Sequence, residues 1–174
     1  AQHLIALLDD GQIIVGEIAR RQAATQPQRT ISSAKRLIGR FYNEVVEEGE
    51  QYPFELDEAE DGRLVIPVGD RAFLPEELSA LVLEKLKLAA EHYLGESVER
   101  AIVTVPAYFD DMQRQATLEA ARLAGLEVLR LINEPTAAAM AYGLGREDQA
   151  IVAIYDFGGG TFDFSVLDIE NKTF

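Results

Sequence analysis

The sequence predicts an α/β fold with a mostly parallel sheet and an antiparallel edge. Three observations point there. From Ala101 onward the chain alternates strand-like and helix-like segments in the order β-α-β-α-β. The stretch Ile151–Leu167 (IVAIYDFGGGTFDFSVL) sets two apolar runs on either side of three glycines, the pattern of a hairpin. With 174 residues, 48% of them hydrophobic, the chain can bury the core of one ordinary domain or of two small lobes.

Composition narrows the function. Sixteen Lys and Arg stand against thirty Asp and Glu, a formal net charge of −14. That argues against nucleic acid as a partner, which would need a basic face. Cysteine is absent, so there is neither a disulfide framework nor a thiolate metal site, consistent with a reducing, cytoplasmic setting. No apolar run approaches the roughly 20 residues that span a bilayer. The start, AQHLIALLDDGQ, lacks a basic n-region and does not read as a signal peptide. It also lacks an initiator methionine, and both ends read as cuts within a longer gene product.

In chain order, His3–Leu8 and Gln12–Val15 form a hairpin turned by Asp9-Asp10-Gly11. Gly16–Ala24 is a short helix stopped before Pro27. In TISSAKRLIGR, Ser32 or Ser33 is placed to cap a helix that carries Lys35 and Arg36 in its first turns and ends at Gly39. Cations at a helix start oppose its dipole. On spacing alone, Lys35 and Arg36 read as a solvated basic face. Phe41–Phe73 is acidic and interrupted by Pro53, Gly62, Pro67 and Gly69. It suggests strands at Tyr52–Leu56, Arg63–Val68 and Arg71–Leu74. Pro75 opens an amphipathic helix to about Leu94 with Leu78, Val82, Leu86, Ala89 and Tyr93 on one side, closed by Gly95.

The second half carries the alternation. Ala101–Val105 reads as a buried strand ended by Pro106. Asp110 or Asp111 caps a helix through Ala124 that Gly125 closes, and Leu126–Ile132 is the next strand. Glu134-Pro135 opens the helix TAAAMAY, closed by Gly143, before the strand at Ile151. Ligands of such sheets collect at the carboxyl ends of strands. This brings the loops after Val105, Ile132 and Tyr155 toward one another. Glu134 has two readings that spacing leaves level: an acid favoured at a helix N-terminus, or a base facing a ligand. Pro106 can be a plain strand terminator, and Arg114 a helix-face charge. His3 and His92 are isolated, without metal-ligand spacing.

The glycine turn holds the strongest chemical signal. Gly158, Gly159 and Gly160 leave backbone N–H groups open to an anion, though a triglycine alone is more often an ordinary turn. Asp156 and Asp163 at its lips, with Thr161, reverse that balance. Two carboxylates would repel a phosphate unless a divalent cation such as Mg2+ lies between them, usually keeping several waters. No lysine follows the glycines, which excludes a P-loop, and a strand rather than a helix follows, which excludes a Rossmann fingerprint.

Four stretches are more specific than any single loop: Ile31–Arg40 around SSAKRLIGR, VTVPAYFDDMQRQAT (Val103–Thr117), AARLAGLEVLRLINEPTAAAMAYGL (Ala120–Leu144) and YDFGGGTFDFSVL (Tyr155–Leu167). In order and spacing, over essentially the whole chain, they resemble the nucleotide-binding domain of the DnaK-type chaperones, the heat shock protein 70 family. The wording fits both the general chaperone and its paralogue dedicated to iron–sulphur cluster assembly. Phe157 stands where leucine is more usual.

The resemblance implies part of an actin-like, ribonuclease H-like ATPase fold. Residues 1–74 would be the outer sub-lobe of lobe I, 75–147 the lobe I core and 148–174 the start of lobe II. It implies ATP and ADP as ligands with Mg2+, and K+ as an optional second cation. Lys35 then resembles the catalytic lysine near the γ-phosphate, and Glu134 the carboxylate that places the attacking water. Asp156 and Asp163 resemble the acids on the Mg2+ side, acting largely through water. Gly158, Gly159, Gly160 and Thr161 resemble the second phosphate loop. Pro106 resembles a proline that couples nucleotide state to substrate binding, with Arg114 as its relay. The implied partners are unfolded polypeptides bound by a separate substrate-binding domain, a J-domain co-chaperone and a nucleotide-exchange factor, with no membrane and no nucleic acid. In the family's layout the first phosphate loop lies upstream of this chain and the adenosine-gripping residues downstream. The chain alone is therefore expected to hydrolyse ATP weakly or not at all. Rival readings are a small-molecule kinase or a filament protein of the same superfamily, and a nucleotide-free interaction module.

Overall fold

The computed structural model describes residues 4–47, 52–142, 149–157 and 162–170. The chain divides into two compact units, one made of residues 1–100 and 110–127, the other of 101–109 and 128–174.

The first unit begins with a hairpin. Strand β1 (Ile5–Leu7) pairs antiparallel with β2 (Ile13–Val15), Ile5 opposite Val15. Its turn closes as expected of DDG. Asp10 accepts from the Gln12 amide at 3.0 Å, and Gly11 takes φ +82°. Helix α1 (Glu17–Ala23) follows, and β3 (Thr30–Ile31) pairs with the free edge of β1. Short helix α2 (Tyr42–Val45) leads to β4 (Asp57–Glu58), β5 (Leu64–Val68) and β6 (Arg71–Phe73), a second antiparallel sheet in the order β4-β5-β6. Residues 52–56, expected as a strand, form none: 52–54 are bends and 55–56 are irregular, with Phe54 buried and packed on Tyr52 at a ring separation of 5.3 Å. Side-chain anchoring rather than ladder pairing holds that segment.

The long helix α3 (Pro75–Leu94) starts with Pro75 in its first turn and ends at Gly95, φ +73°. Glu77 accepts from the Leu74 amide at 2.8 Å and satisfies one N-terminal donor. Leu78 and Val82 are buried, but Leu86 and Tyr93 are 44% and 87% exposed, so the expected apolar stripe covers only the first turns. The core cluster explains this: it gathers Ile5, Leu7, Ile31, Leu37, Phe54, Leu64, Ile66, Phe73 and Leu78, and reaches no further along α3 than Val82. Helix α4 (Asp111–Leu123) packs on α3. Asp110 accepts from the Gln113 amide at 2.9 Å and Gln113 returns the bond at 3.2 Å, a reciprocal cap. At the other end Lys87 donates to the Gly125 carbonyl at 2.9 Å, a cation where the helix dipole favours one.

The second unit contains β7 (Arg100–Val105), β8 (Glu127–Asn133), helix α5 (Glu134–Ala141) and the strands β9 (Gln149–Phe157) and β10 (Phe162–Glu170). β7 pairs with β8, and β9 with β10. The single, mostly parallel sheet expected from the alternation is thus replaced, among the described residues, by two two-stranded sheets, β7-β8 and the antiparallel β9-β10, within a mixed α/β fold. Nor is β7 buried throughout. Its residues alternate between exposed and half-buried up to Val105, with Ile102 59% exposed, because a sheet covered on one face shields only every second side chain.

Candidate functional site

Lys35 belongs to the first unit. Its segment is a 3-10 turn at residues 34–36 rather than the α-helix expected, and Ser33 makes no side-chain cap. Instead Ser33 takes the left-handed conformation (φ 60°, ψ 30°) in place of the extended one typical of an N-cap. Burial dictates the outcome: Ala34, Leu37 and Ile38 enter the core, so the turn directs Lys35 and Arg36 outward, where both are exposed. Gly39 ends the segment at φ +69°, against the N-terminal backbone of α4. Arg114 also lies in this unit, half-buried on α4.

The remaining acids converge in the second unit. The β9–β10 register pairs Asp163 directly with Asp156, Tyr155 with Phe164 and Ile154 with Ser165. Directly opposed residues share one face, so the two carboxylates stand side by side, their Cβ atoms about 4.5–5.5 Å apart as in any such pair. This face of the hairpin is its more covered one. Val152, Ile154, Asp163, Ser165 and Leu167 are half-buried and Ile169 is fully buried, whereas Ile151, Tyr155, Phe157 and Val166 on the other face are open. Helix α5 contacts both strands of the hairpin. It begins at Glu134, with Pro135 next and buried, so the acid sits at the positive end of the helix.

A pocket of about 440 Å3 lies where these elements meet. Glu134, Pro135 and Ala138 line it from α5, and Asp156, Asp163 and Ser165 from the hairpin. Pro106, Ala107 and Tyr108 line it from the loop after β7. Pro106 is buried, while Tyr108 is 63% exposed and meets Phe109 edge-on at 5.6 Å. The loop after Val105, the start of α5 just after Ile132 and the strand ends that carry Asp156 and Asp163 therefore line one cavity. Sequence reading did not single out Tyr108 or Ser165. The available signal for Ser165 was its place two residues after Asp163 on an alternating strand. Gly158, Gly159, Gly160 and Thr161, expected to form the phosphate loop, lie outside the described residues.

Three carboxylates around one cavity make a cation-attracting site. Among the described residues no group of three or more His, Cys, Asp or Glu is gathered tightly enough to ligate a metal by itself. The opposed pair Asp156 and Asp163 still suits Mg2+, which commonly takes one or two carboxylates, keeps several waters and shares the oxygens of a bound phosphate. The donor set is all oxygen, as a hard cation requires.

Comparison with known families decides the wider setting. The family described as Hsp70 protein matches residues 4–174. The chain belongs to the Hsp70 family. That family consists of chaperone ATPases that bind ATP and ADP with Mg2+ and act on unfolded polypeptides together with co-chaperones. Among the described residues no helix of this Hsp70 chain is long and apolar enough to cross a membrane.

Proposed function

We propose that this chain is part of the ATP-binding and ATP-hydrolysing domain of a cytoplasmic DnaK-type chaperone with an actin-like ATPase fold. Residues 1–74 form the outer sub-lobe of lobe I, 75–147 its core and 148–174 the start of lobe II. The observation that carries the reading is the convergence of Glu134, Asp156 and Asp163 on one pocket in a chain of this family.

In this reading a water attacks the γ-phosphorus in line. The new P–O bond forms as the bond to the bridging oxygen of ADP breaks, and the water's protons pass to phosphate and solvent. Glu134 accepts a hydrogen bond from that water and fixes its approach. Asp156 and Asp163 hold the hydrated Mg2+ ion, which, when bound, spreads the charge of the phosphate oxygens. Lys35 supplies a fixed cation to the γ-phosphate, and the Gly158–Gly160 amides with Thr161 complete the anion cradle. The balance favours positioning and electrostatics because phosphoryl transfer gives the protein little covalent chemistry to perform. Pro106, buried at the cavity wall, and Arg114 pass the nucleotide state to the substrate-binding domain, so that unfolded clients are bound and released. A J-domain co-chaperone and a nucleotide-exchange factor set the pace of that cycle.

Single-turnover ATP hydrolysis by the full-length protein tests the assignment. Lys35→Ala and Glu134→Ala are each expected to slow the chemical step by 10²-fold or more, the order found when one preorganised electrostatic contact is lost. Basal turnover of the intact protein should rise when an apolar peptide and a J-domain protein are both added. Unchanged single-turnover rates in both variants would remove these residues from the mechanism.

A further inference from the structure

Ser165 stands two residues from Asp163 on β10, opposite Ile154, and lines the pocket that holds both aspartates. Strand alternation puts Ser165 and Asp163 on the same face, the more covered one, with Cα atoms about 6.6–6.8 Å apart at 3.3–3.4 Å per residue. Ser165 is half-buried there and supplies a hydroxyl, one donor and two acceptor sites, just inward of the carboxylate pair. Its separation from Asp163 suits a bridge through one water rather than direct ligation. Mg2+ keeps most of its waters, so the groups that orient them set the affinity as much as the carboxylates do.

We propose that Ser165 is a positioning residue whose hydroxyl orders the water shell of the cation held by Asp156 and Asp163. The inference rests on the metal–nucleotide reading given above. Ile154, across the ladder, offers no polar atom in its side chain, nor do Ala138 and Pro135 on α5, and Glu134 at the start of that helix already has the role of placing the attacking water in the reading above. On the hairpin face that carries Asp156 and Asp163, Ser165 is the pocket-lining hydroxyl, placed to anchor a water at the inner edge of the carboxylate pair.

The test is Mn2+ binding to the full-length protein in the presence of ADP, read from the electron paramagnetic resonance signal of free manganese. Asp163→Asn should abolish the bound fraction. Ser165→Ala should weaken binding about tenfold, the lower end of the effects seen for groups outside the first coordination shell. Ser165→Thr, which keeps the hydroxyl, should restore wild-type affinity, and all three variants should melt as cooperatively as wild type without metal. If Ser165→Ala binds like wild type while Asp163→Asn does not, the role of Ser165 is overturned and the carboxylate site stands. Equal weakening in the Ala and Thr variants also overturns it, since packing rather than the hydroxyl would then matter. If Asp163→Asn binds like wild type, the metal reading itself falls and the inference goes with it.

Discussion

Gly39 shows how one residue without a side chain joins the Lys35 turn to the rest of its unit. A Cβ at this position would come within 2.6 Å of the Gln113 Cα and 2.8 Å of its amide nitrogen, backbone atoms at the start of α4 that cannot step aside. The residue also holds φ +69°, where an L side chain costs roughly 1–2 kcal/mol. Adding an overpacking cost of about 1–3 kcal/mol, Gly39→Ala should destabilise the protein by roughly 2–5 kcal/mol. Gly11 provides the control: it has φ +82° but nothing within 4 Å, so Gly11→Ala should lose only the conformational part. Urea midpoints of the two variants separate the contributions. If they shift alike, the close approach of the Gly39 turn to α4 is not what holds it. Lys35 illustrates the converse case. Its neighbours Ala34, Leu37 and Ile38 are buried, so its outward direction follows from the packing of others.

At the scale of elements, α4 has the most complete set of local signals, and Asp110 is the one most easily tested. The side chain satisfies the Gln113 amide at 2.9 Å, so Asp110→Ala should cost about 1 kcal/mol, read as a lower denaturation midpoint with an unchanged slope. An unaltered midpoint would mean that a water replaces the cap at no cost. Elements with such local signals were legible in the sequence. These were the DDG hairpin, the Pro75–Gly95 limits of α3, the Asp110 and Gly125 limits of α4 and the start of α5 at Glu134. Elements decided by tertiary burial were not. The Lys35 segment carries serine and glycine signals suited to a helix, yet with Ala34, Leu37 and Ile38 buried it is a 3-10 turn. The apolar face of α3 continues in the sequence to Tyr93, but periodicity does not say where the partner core ends. The candidate site divides in the same way. The opposed aspartates follow from hairpin register, which alternation encodes, whereas the wall contributed by Tyr108 and Ser165 depends on how a loop and a strand meet in three dimensions.

At the scale of the molecule, charge opposes compaction. The formal net charge is −14, and the exposed pairs Arg63–Asp61 and Arg122–Glu119 do not alter that sum. Hydrogen bonds from Arg63 and Arg122 lower the pKa of the Asp61 and Glu119 carboxyls from their ordinary values, which favours the charged form of both. Self-repulsion of this kind is long-ranged and screened by salt: the Debye length falls from about 30 Å at 0.01 M to about 10 Å at 0.1 M ionic strength. Raising NaCl across that range should therefore raise the melting temperature by a few degrees, about the shift that 1 kcal/mol produces in a chain of this size. The same experiment separates general screening from the candidate site. At matched ionic strength, MgCl2 should raise the melting temperature further than NaCl, because a cation between Asp156 and Asp163 relieves a repulsion that distant counterions reach poorly. Asp163→Asn removes that local repulsion, so the variant should melt above wild type in EDTA and lose the extra response to Mg2+ while keeping the response to NaCl. A variant that still prefers Mg2+ over NaCl as strongly as wild type would show that the divalent ion binds elsewhere on this acidic surface.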